Sequence, residues 1–215
     1  MAGERLQDAI DGKRLQSVAA DGRHASHYCV KEAVFPFVKF PGADITLTPE
    51  MKSTGEVMTF GHDAATAYYK SQIAAGSPLP PEGGVILSVR DEDKDEVVKL
   101  ARQLDDLGYE VWATRGTSTA LWMNGVESHA LYRIPLGSPN TLDLIDRHMV
   151  KWIVNIREDD ESAAHDSLRI RSAAVAAGIP LTTTIAGFAE AVKGIAAMKR
   201  DPSKTPLSLQ EWQSR

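Results

Sequence analysis

From Gly84 to Arg200 the chain alternates short apolar runs with longer stretches in which apolar residues recur at helical spacing. Five of the apolar runs predict strands, over residues 85–89, 110–113, 129–134, 151–155 and 179–182. The stretches between and after them predict helices, over residues 91–107, 117–124, 141–148, 166–177 and 185–196. Strands that alternate with helices form parallel sheets with helices on both faces. The sequence therefore predicts an α/β domain with a five-stranded, mostly parallel sheet over residues 84–200.

A stretch rich in proline and glycine separates this domain from the residues before it. Residues 76–83 hold three prolines and two glycines, which cannot continue a helix or a central strand, so they predict a linker. Residues 1–75 contain strand-like runs and one helical stretch, at 64–75, which is too little for a core of their own. We interpret residues 1–75 as a small α+β remnant of a larger domain, and residues 201–215 as a polar tail.

The composition argues against several functions. The net charge of -5 and the lack of a run rich in lysine and arginine argue against binding nucleic acid through bulk charge. The sequence shows no apolar span of membrane length and no N-terminal signal pattern, so we expect a cytoplasmic protein. One cysteine, Cys29, excludes an internal disulfide. Because Cys29 lies in an apolar, strand-like run, we expect a buried thiol rather than a nucleophile.

The most informative segment for function runs from Glu110 to Thr117. An apolar strand ends there in a small turn that contains Thr114, Gly116 and Thr117, and a helix follows. The backbone N–H groups of such a turn, together with the positive end of the helix dipole, form a binding site for a phosphate or carboxylate. The two threonine hydroxyls are further ligands for the anion.

Polar residues follow the other predicted strands as well. The carboxyl ends of parallel strands share one edge of a sheet, and ligands bind there. The residues expected at that edge are Ser88, Arg90, Lys94, Thr114, Gly116, Thr117, Arg133, Asn155, Arg157, His165 and Asp166. Lys94 and Arg133 would neutralise the anion, while Asn155 and Asp166 would contact a sugar or other polar groups. The pattern predicts recognition of a small phosphorylated or carboxylated ligand.

Five of these residues also have a purely structural interpretation. Thr117 could cap its helix, and Lys94 could be a solvated side chain in a charged first turn. Arg133 could pair with a surface acid. His165 and Asp166 could begin a surface helix, with Asp166 as its cap. The functional interpretation is favoured because all of them fall at the same edge of the sheet.

Other kinds of chemistry have little support in the sequence. There is no phosphate-loop motif, no dinucleotide-binding glycine pattern after a strand, and no nucleophile elbow. Cysteine and histidine show no metal-ligand spacing. His24 and His27 lie three residues apart but lack supporting carboxylates nearby. The acidic run 158–161 is better explained as a solvated loop than as a metal site.

Several segments together resemble the carbamoyl phosphate synthetase large-subunit family. The segments 30–37, 39–42 and 49–58 resemble the carboxy-terminal edge of its second ATP-grasp half. The segments 87–94, 113–117 and 152–155 resemble its allosteric domain, and 208–212 resembles its tail. The resemblance covers nearly the whole chain. It implies an ATP-grasp remnant over residues 1–75 and a methylglyoxal synthase-like, Rossmann-like allosteric domain over residues 84–200.

The resemblance also implies a function. In bacterial members this domain binds nucleotide effectors, with UMP inhibiting and IMP activating, and the enzyme serves pyrimidine and arginine biosynthesis. The implied effector site consists of Ser88, Lys94, Thr114, Gly116, Thr117, Arg133, Asn155 and Asp166. Arg133 stands where nucleotide-responsive members have a lysine, and Ile156 and Arg157 stand where they have hydroxyl residues. Arg157 could replace the hydrogen bonds of those hydroxyls with a bidentate contact to phosphate. N-acetylglutamate is a less favoured effector than a nucleotide.

A second family site binds ornithine between the allosteric domain and its ATP-grasp neighbour. Glu32 and Thr183 match two positions of that site. Leu181 and Thr182 depart from the tyrosine and aspartate of ornithine-responsive members. We therefore expect little or no ornithine binding by this chain alone.

The resemblance further implies which partners and cofactors belong to this chain. The expected partners are the remainder of the large subunit, its glutaminase small subunit and a small-molecule effector, with no nucleic acid and no membrane. We expect no cofactor and no active site in this chain, because ATP, Mg and K would belong to the missing part of the ligase. Residues 1–3 resemble an interior stretch of the family, which implies a split-gene product or a piece of a longer subunit.

Two alternatives remain open. A free-standing methylglyoxal synthase, a phosphate-eliminating lyase, has the same fold and needs a catalytic carboxylate after its third strand. Here that loop, residues 136–140, contains no acid, although His165 resembles a histidine of those enzymes. The other alternative is a structural fragment that binds no ligand and docks on a missing partner.

Overall fold

The structure, a computed structural model, describes residues 28–35, 55–156 and 161–200, together with residues 208, 210 and 211. The strands are β1 (Tyr28–Val34), β2 (Gly55–Gly61), β3 (Gly83–Ser88), β4 (Tyr109–Thr114), β5 (His129–Leu131), β6 (Trp152–Asn155) and β7 (Leu181–Thr182). The helices are α1 (Ala64–Ala74), α2 (Lys94–Asp106), α3 (Arg115–Met123), α4 (Thr141–Asp146), α5 (Glu161–Ala176) and α6 (Ile185–Arg200). A short 3₁₀ turn, Asp91–Asp93, precedes α2, and a second one, Ile134–Leu136, follows β5.

Strands β3 to β7 form one parallel sheet in the order β5-β4-β3-β6-β7. Alternate residues of each strand face opposite sides of the sheet, so two separate cores form. Val85 and Leu87 belong to the core covered by α2 and α6, whereas Ile86 belongs to the core covered by α4 and α5. This arrangement confirms the predicted α/β fold with a five-stranded sheet and helices on both faces.

Several element boundaries differ from those predicted. The strand predicted over residues 129–134 ends at Leu131, because Ile134 begins a 3₁₀ turn whose second residue is a proline. The helix predicted to begin at Thr117 begins at Arg115. The helix predicted to begin at Asp166 begins at Glu161, so its first residue is the last residue of the acidic run that the sequence favoured as a loop.

The first part of the chain contributes a two-stranded antiparallel sheet, β1–β2, and helix α1, which packs on α6. The two helices approach closely at Gly194. A Cβ added there would lie 2.9 Å from the backbone oxygen of Ala65 and 3.0 Å from Cβ of Tyr69. Tyr69, from α1, is buried in the same core as α2 and α6. Helix α1 is therefore part of the packed core of the sheet domain.

Cys29 is exposed, contrary to the predicted buried thiol. It lies on β1, opposite Phe60, in a ribbon of two strands, at the end of the strand where Tyr28 is also exposed. An apolar run indicates burial only where a second layer packs on it, which explains the error. His24, His27 and the acidic residues 158–160 lie outside the described residues. In the part of the chain that the structure describes, no helix combines the length and apolar character needed to cross a bilayer.

Candidate functional site

A cavity of about 280 Å³ lies at the carboxyl ends of β3, β4 and β6. It brings together eight of the nine residues predicted to hold the ligand: Ser88, Lys94, Thr114, Gly116, Thr117, Arg133, Asn155 and Asp166. The ninth, Arg157, lies outside the described residues. The shared position at one sheet edge follows from the parallel topology, since the carboxyl ends of all the strands meet there. That these residues bind an anion stays a prediction.

The turn from β4 into α3 forms one wall of the cavity. Thr114 occupies the N-cap position but makes no side-chain cap hydrogen bond. Its Oγ1 lies 3.2 Å from Oγ1 of Thr117, which is buried. Thr117 is the third residue of the nine-residue helix, so it is not the helix cap. The first backbone N–H groups of α3 have no acceptor within the helix, and the first three residues of that helix line the cavity.

Lys94 reaches the same wall from the first turn of α2. Its Nζ would lie 3.0 Å from a Cβ added at Gly116, so the missing side chain of Gly116 makes room for the ammonium group. Lys94 Nζ also pairs with the carboxylate of Asp91, which lines the cavity. The side chain of Lys94 is 22% exposed and that of Asp91 is 83% exposed. Lys94 is therefore a partly buried cation of the site rather than a solvated side chain.

A second ion pair lies across the cavity. Arg133 NH2 lies 3.5 Å from Oδ2 of Asp166. The sequence left open whether Arg133 pairs with a surface acid, and the structure shows an acid of the cavity itself as its partner. Asp166 lies within α5 and is not its cap. His165 is exposed and does not line the cavity.

The sequence prediction missed two residues next to Asn155: Ser167, which lines the cavity, and Arg171, which donates to Asn155. Asn155 and Ser167 are both buried, and Ser167 Oγ donates to Oδ1 of Asn155. Arg171, one turn further along α5, donates through Nε to the same oxygen over 3.2 Å. Ser167 and Arg171 are four residues apart on a helix and so share one face, a spacing that could have revealed them.

The rest of the lining is largely apolar. Ile134, Leu136, Ile156 and Ile170 line the cavity, with the ring of Tyr132. The guanidinium of Arg115, which the sequence prediction did not include in the site, lies 5.9 Å from the centre of that ring. The cavity therefore combines a cationic, donor-rich wall with an apolar wall that suits a flat, weakly polar group.

The loop that carries the catalytic acid in methylglyoxal synthases has a structural role here. Asn140 caps α4 by accepting from the backbone N–H groups of Leu142 and Asp143. Asp143 completes a capping box with the backbone N–H of Asn140. Hydrogen bonds from Ser138 and from that backbone N–H lower the pKa of Asp143. Among the described residues, the carboxylates that line the cavity are Asp91 and Asp166, and both are paired with a cation.

Glu32 and Thr183, the two residues that match an ornithine site, lie away from this cavity. Glu32 accepts hydrogen bonds from Oγ of Ser71 at 2.5 Å and from Nε2 of Gln72 at 2.7 and 2.8 Å. Burial, with the nearby carboxylates of Glu32 and Glu190, raises the pKa of Tyr68 to about 12. Thr183 is exposed. The carboxylate of Glu32 therefore ties β1 to α1 in this structure.

Comparisons with known proteins identify relatives along nearly the whole chain. A family model described as "MGS-like domain" matches residues 96–183. The carbamoyl phosphate synthase large chain of Brucella suis is 45% identical over 93% of this chain and 17% of its own length. That of Archaeoglobus fulgidus is 44% identical over 94% of this chain and 19% of its own length. A "Carbamoyl phosphate synthase large chain, C-terminal section" of Methanopyrus kandleri is 45% identical over 92% of this chain and 36% of its own length. The chain thus spans well under half the length of these relatives.

Proposed function

The chain carries an MGS-like domain and belongs with the C-terminal section of the carbamoyl phosphate synthase large chain, and from that premise we propose that it is the regulatory part of such an enzyme. Its role is to bind a phosphorylated effector, of which UMP and IMP are the leading candidates. The observation that carries this proposal is the turn at Thr114–Thr117, which joins an open helix N-terminus to Lys94 at the cavity wall.

The cavity supports a ligand with three chemically distinct parts. A phosphate fits the wall formed by Thr114, Thr117 and Lys94, where backbone N–H groups, hydroxyls and an ammonium converge. A ribose hydroxyl fits Asp166, whose carboxylate accepts hydrogen bonds. A nucleobase fits the apolar wall next to Tyr132, because flat aromatic rings stack on one another. A nucleoside monophosphate carries all three parts.

The cavity supports binding rather than turnover. Among the described residues its two carboxylates, Asp91 and Asp166, are each paired with a cation, Lys94 and Arg133. A phosphate-eliminating lyase would need a carboxylate poised to remove a proton beside a carbonyl group. The chain acts instead by coupling effector binding to catalysis elsewhere, with a coupling free energy of about 1–3 kcal/mol.

The wider setting of the chain is also a proposal. It would act in the cytoplasm with the remainder of the large subunit and the glutaminase small subunit, in pyrimidine and arginine biosynthesis. ATP, Mg and K would bind to that remainder. The arginine at position 133, in place of the usual lysine, would contact phosphate or ribose as a planar fork rather than as a point charge.

Isothermal titration calorimetry of this chain tests the proposal, with UMP, IMP, inorganic phosphate, N-acetylglutamate and ornithine as separate ligands. We expect saturable binding of a nucleotide, weakened about 2- to 10-fold by Thr117→Val, because this change removes a hydroxyl without changing the side-chain shape. Thr119→Val is the matched control. Thr119 is exposed on the same helix and donates to the backbone oxygen of Arg115, so its replacement should leave the nucleotide Kd unchanged.

Absence of binding by every ligand would contradict the proposal for the isolated chain. Formation of methylglyoxal from dihydroxyacetone phosphate would instead establish the lyase. If Thr117→Val and Thr119→Val lost affinity equally, both substitutions would be acting by disturbing the helix. That result would contradict a ligand contact at Thr117.

A further inference from the structure

The side-chain amide of Asn155 is held in one orientation by donors beneath the cavity. Ser167 Oγ and Arg171 Nε, the latter at 3.2 Å, both donate to its Oδ1. Arg171 also donates through NH2 to the backbone oxygen of Asn155 over 3.3 Å. Asn155 and Ser167 are both buried, with 3% and 4% of their surfaces exposed. Arg171 therefore bonds to both the side-chain oxygen and the backbone oxygen of Asn155, the last residue of β6.

This arrangement fixes which end of the amide faces a ligand. An amide oxygen has two lone pairs, and here each has a donor. A flipped amide would place its NH2 group against the guanidinium of Arg171, which has donors but no acceptor, so the flipped orientation is excluded. Nδ2 makes no hydrogen bond to any residue in the part of the chain that the structure describes, and Asn155 lines the cavity. The amide thus presents a donor to the cavity.

We infer that Arg171 is a positioning residue that makes Asn155 a fixed hydrogen-bond donor, so that the effector must place an acceptor atom at this point of the cavity. This inference rests on the proposed function and deepens it. With the backbone N–H groups of α3 and the ammonium of Lys94, Asn155 extends a set of donors along one side of the cavity. Such a set selects a fully deprotonated phosphoryl oxygen, or another oxygen without a hydrogen, over a hydroxyl that must donate.

The first experiment is a double-mutant cycle on ligand affinity. The Kd of UMP and of inorganic phosphate is measured by calorimetry for wild type, Arg171→Gln, Asn155→Ala and the double variant. On the wild-type background we expect Arg171→Gln to raise the Kd about 3- to 10-fold. On the Asn155→Ala background the same substitution should have no further effect, because Arg171 acts through Asn155. Arg169→Gln is the matched control, since Arg169 is exposed on the same helix and does not line the cavity.

A loss of affinity for Arg171→Gln that persists in full on the Asn155→Ala background would overturn the inference, since Arg171 would then contact the ligand itself. Unchanged affinity in Arg171→Gln would overturn it as well. If wild type binds neither ligand, the proposed function fails, and the positioning role is decided by a measurement that needs no ligand.

That second measurement is a double-mutant cycle on stability. Urea denaturation is measured for wild type, Asn155→Asp, Arg171→Gln and the variant that carries both substitutions. An aspartate at this position keeps an oxygen that accepts from Ser167 and Arg171, and its charge gains an ion-pair partner in the guanidinium. We expect Asn155→Asp to change the urea midpoint little in wild type and to lower it clearly in Arg171→Gln, where the buried carboxylate loses that partner. Equal shifts of the midpoint in the two backgrounds would show that Arg171 does not hold Oδ1, and the inference would be wrong.

Discussion

Replacing Gly116 with alanine should weaken effector binding while leaving the fold intact. An added Cβ would lie 3.0 Å from Nζ of Lys94, which is closer than ordinary van der Waals contact. Lys94 must then move, because its Nζ ends a flexible side chain, whereas the backbone of α3 is held by its own helical hydrogen bonds. Alanine favours helix over glycine by up to about 1 kcal/mol, so the stability of the domain should stay the same or rise slightly.

The size of the binding effect follows from the interaction that Lys94 would lose. A hydrogen bond between a charged donor and an acceptor contributes about 1.5–3 kcal/mol. Since about 1.4 kcal/mol corresponds to a factor of ten in affinity, the Kd of a nucleoside monophosphate should rise about 10- to 100-fold in Gly116→Ala. An apolar ligand part at the opposite wall would be unaffected, so a nucleoside without phosphate should show no change.

Calorimetric titration with UMP and with uridine, combined with thermal denaturation, measures both effects. Gly55→Ala is the matched control, because a Cβ added at Gly55 meets no atom within 4 Å and Gly55 lies outside the cavity. Equal UMP affinity in Gly116→Ala and wild type would refute the reasoning, since Lys94 would then contribute nothing from its observed position. A large fall in the melting temperature of Gly116→Ala would show that the turn itself, not Lys94, was disturbed.

Three further predictions concern charge, packing and pH. Asp91→Asn should tighten phosphate binding about 2- to 10-fold in a calorimetric titration, because Lys94 no longer pairs with a carboxylate, and weaker binding would contradict this account. Gly194→Val should lower the free energy of unfolding by about 1–3 kcal/mol in urea, because its side chain meets the backbone of α1, and an unchanged midpoint would show that the two helices separate easily. Asp143→Asn should destabilise the domain at pH 7, and its difference from wild type should shrink as the pH falls below the ordinary carboxyl pKa. Hydrogen bonds from Ser138 and the loop backbone lower the Asp143 pKa, so its contribution is present above the ordinary carboxyl pKa and is lost as the pH falls through the lowered value. A difference between wild type and Asp143→Asn that stays constant as the pH is lowered, followed by urea denaturation, would contradict this assignment.

The sheet and the edge where the cavity lies could be predicted because each depends on local patterns. The apolar run at Val85–Val89 indicates a strand covered on both faces, and parallel topology then places the ends of all such strands together. This is why residues as distant in sequence as Ser88 and Asn155 were expected at one site. Strand pairing places them on adjacent strands, with Ser88 and Asn155 in register.

What could not be predicted depends on contacts between elements. Asp91 pairs with Lys94 because a 3₁₀ turn precedes α2, and the acidic first turn of the sequence does not reveal that geometry. Arg171 reaches Asn155 because α5 crosses the end of β6, a matter of helix packing. Cys29 was wrongly expected to be buried, because an apolar run does not show whether a second layer covers the strand.

The most direct test of the central claim is a titration of ¹⁵N-labelled protein with UMP, followed by two-dimensional NMR. We predict that the largest and saturable shifts occur at the backbone N–H groups of Gly116 and Thr117 and at the side-chain amide of Asn155, with inorganic phosphate moving the two backbone signals in the same direction. Saturable shifts centred on Glu32 and Thr183 instead, or no shifts at any concentration of UMP or phosphate, would contradict the claim that this cavity is an effector site.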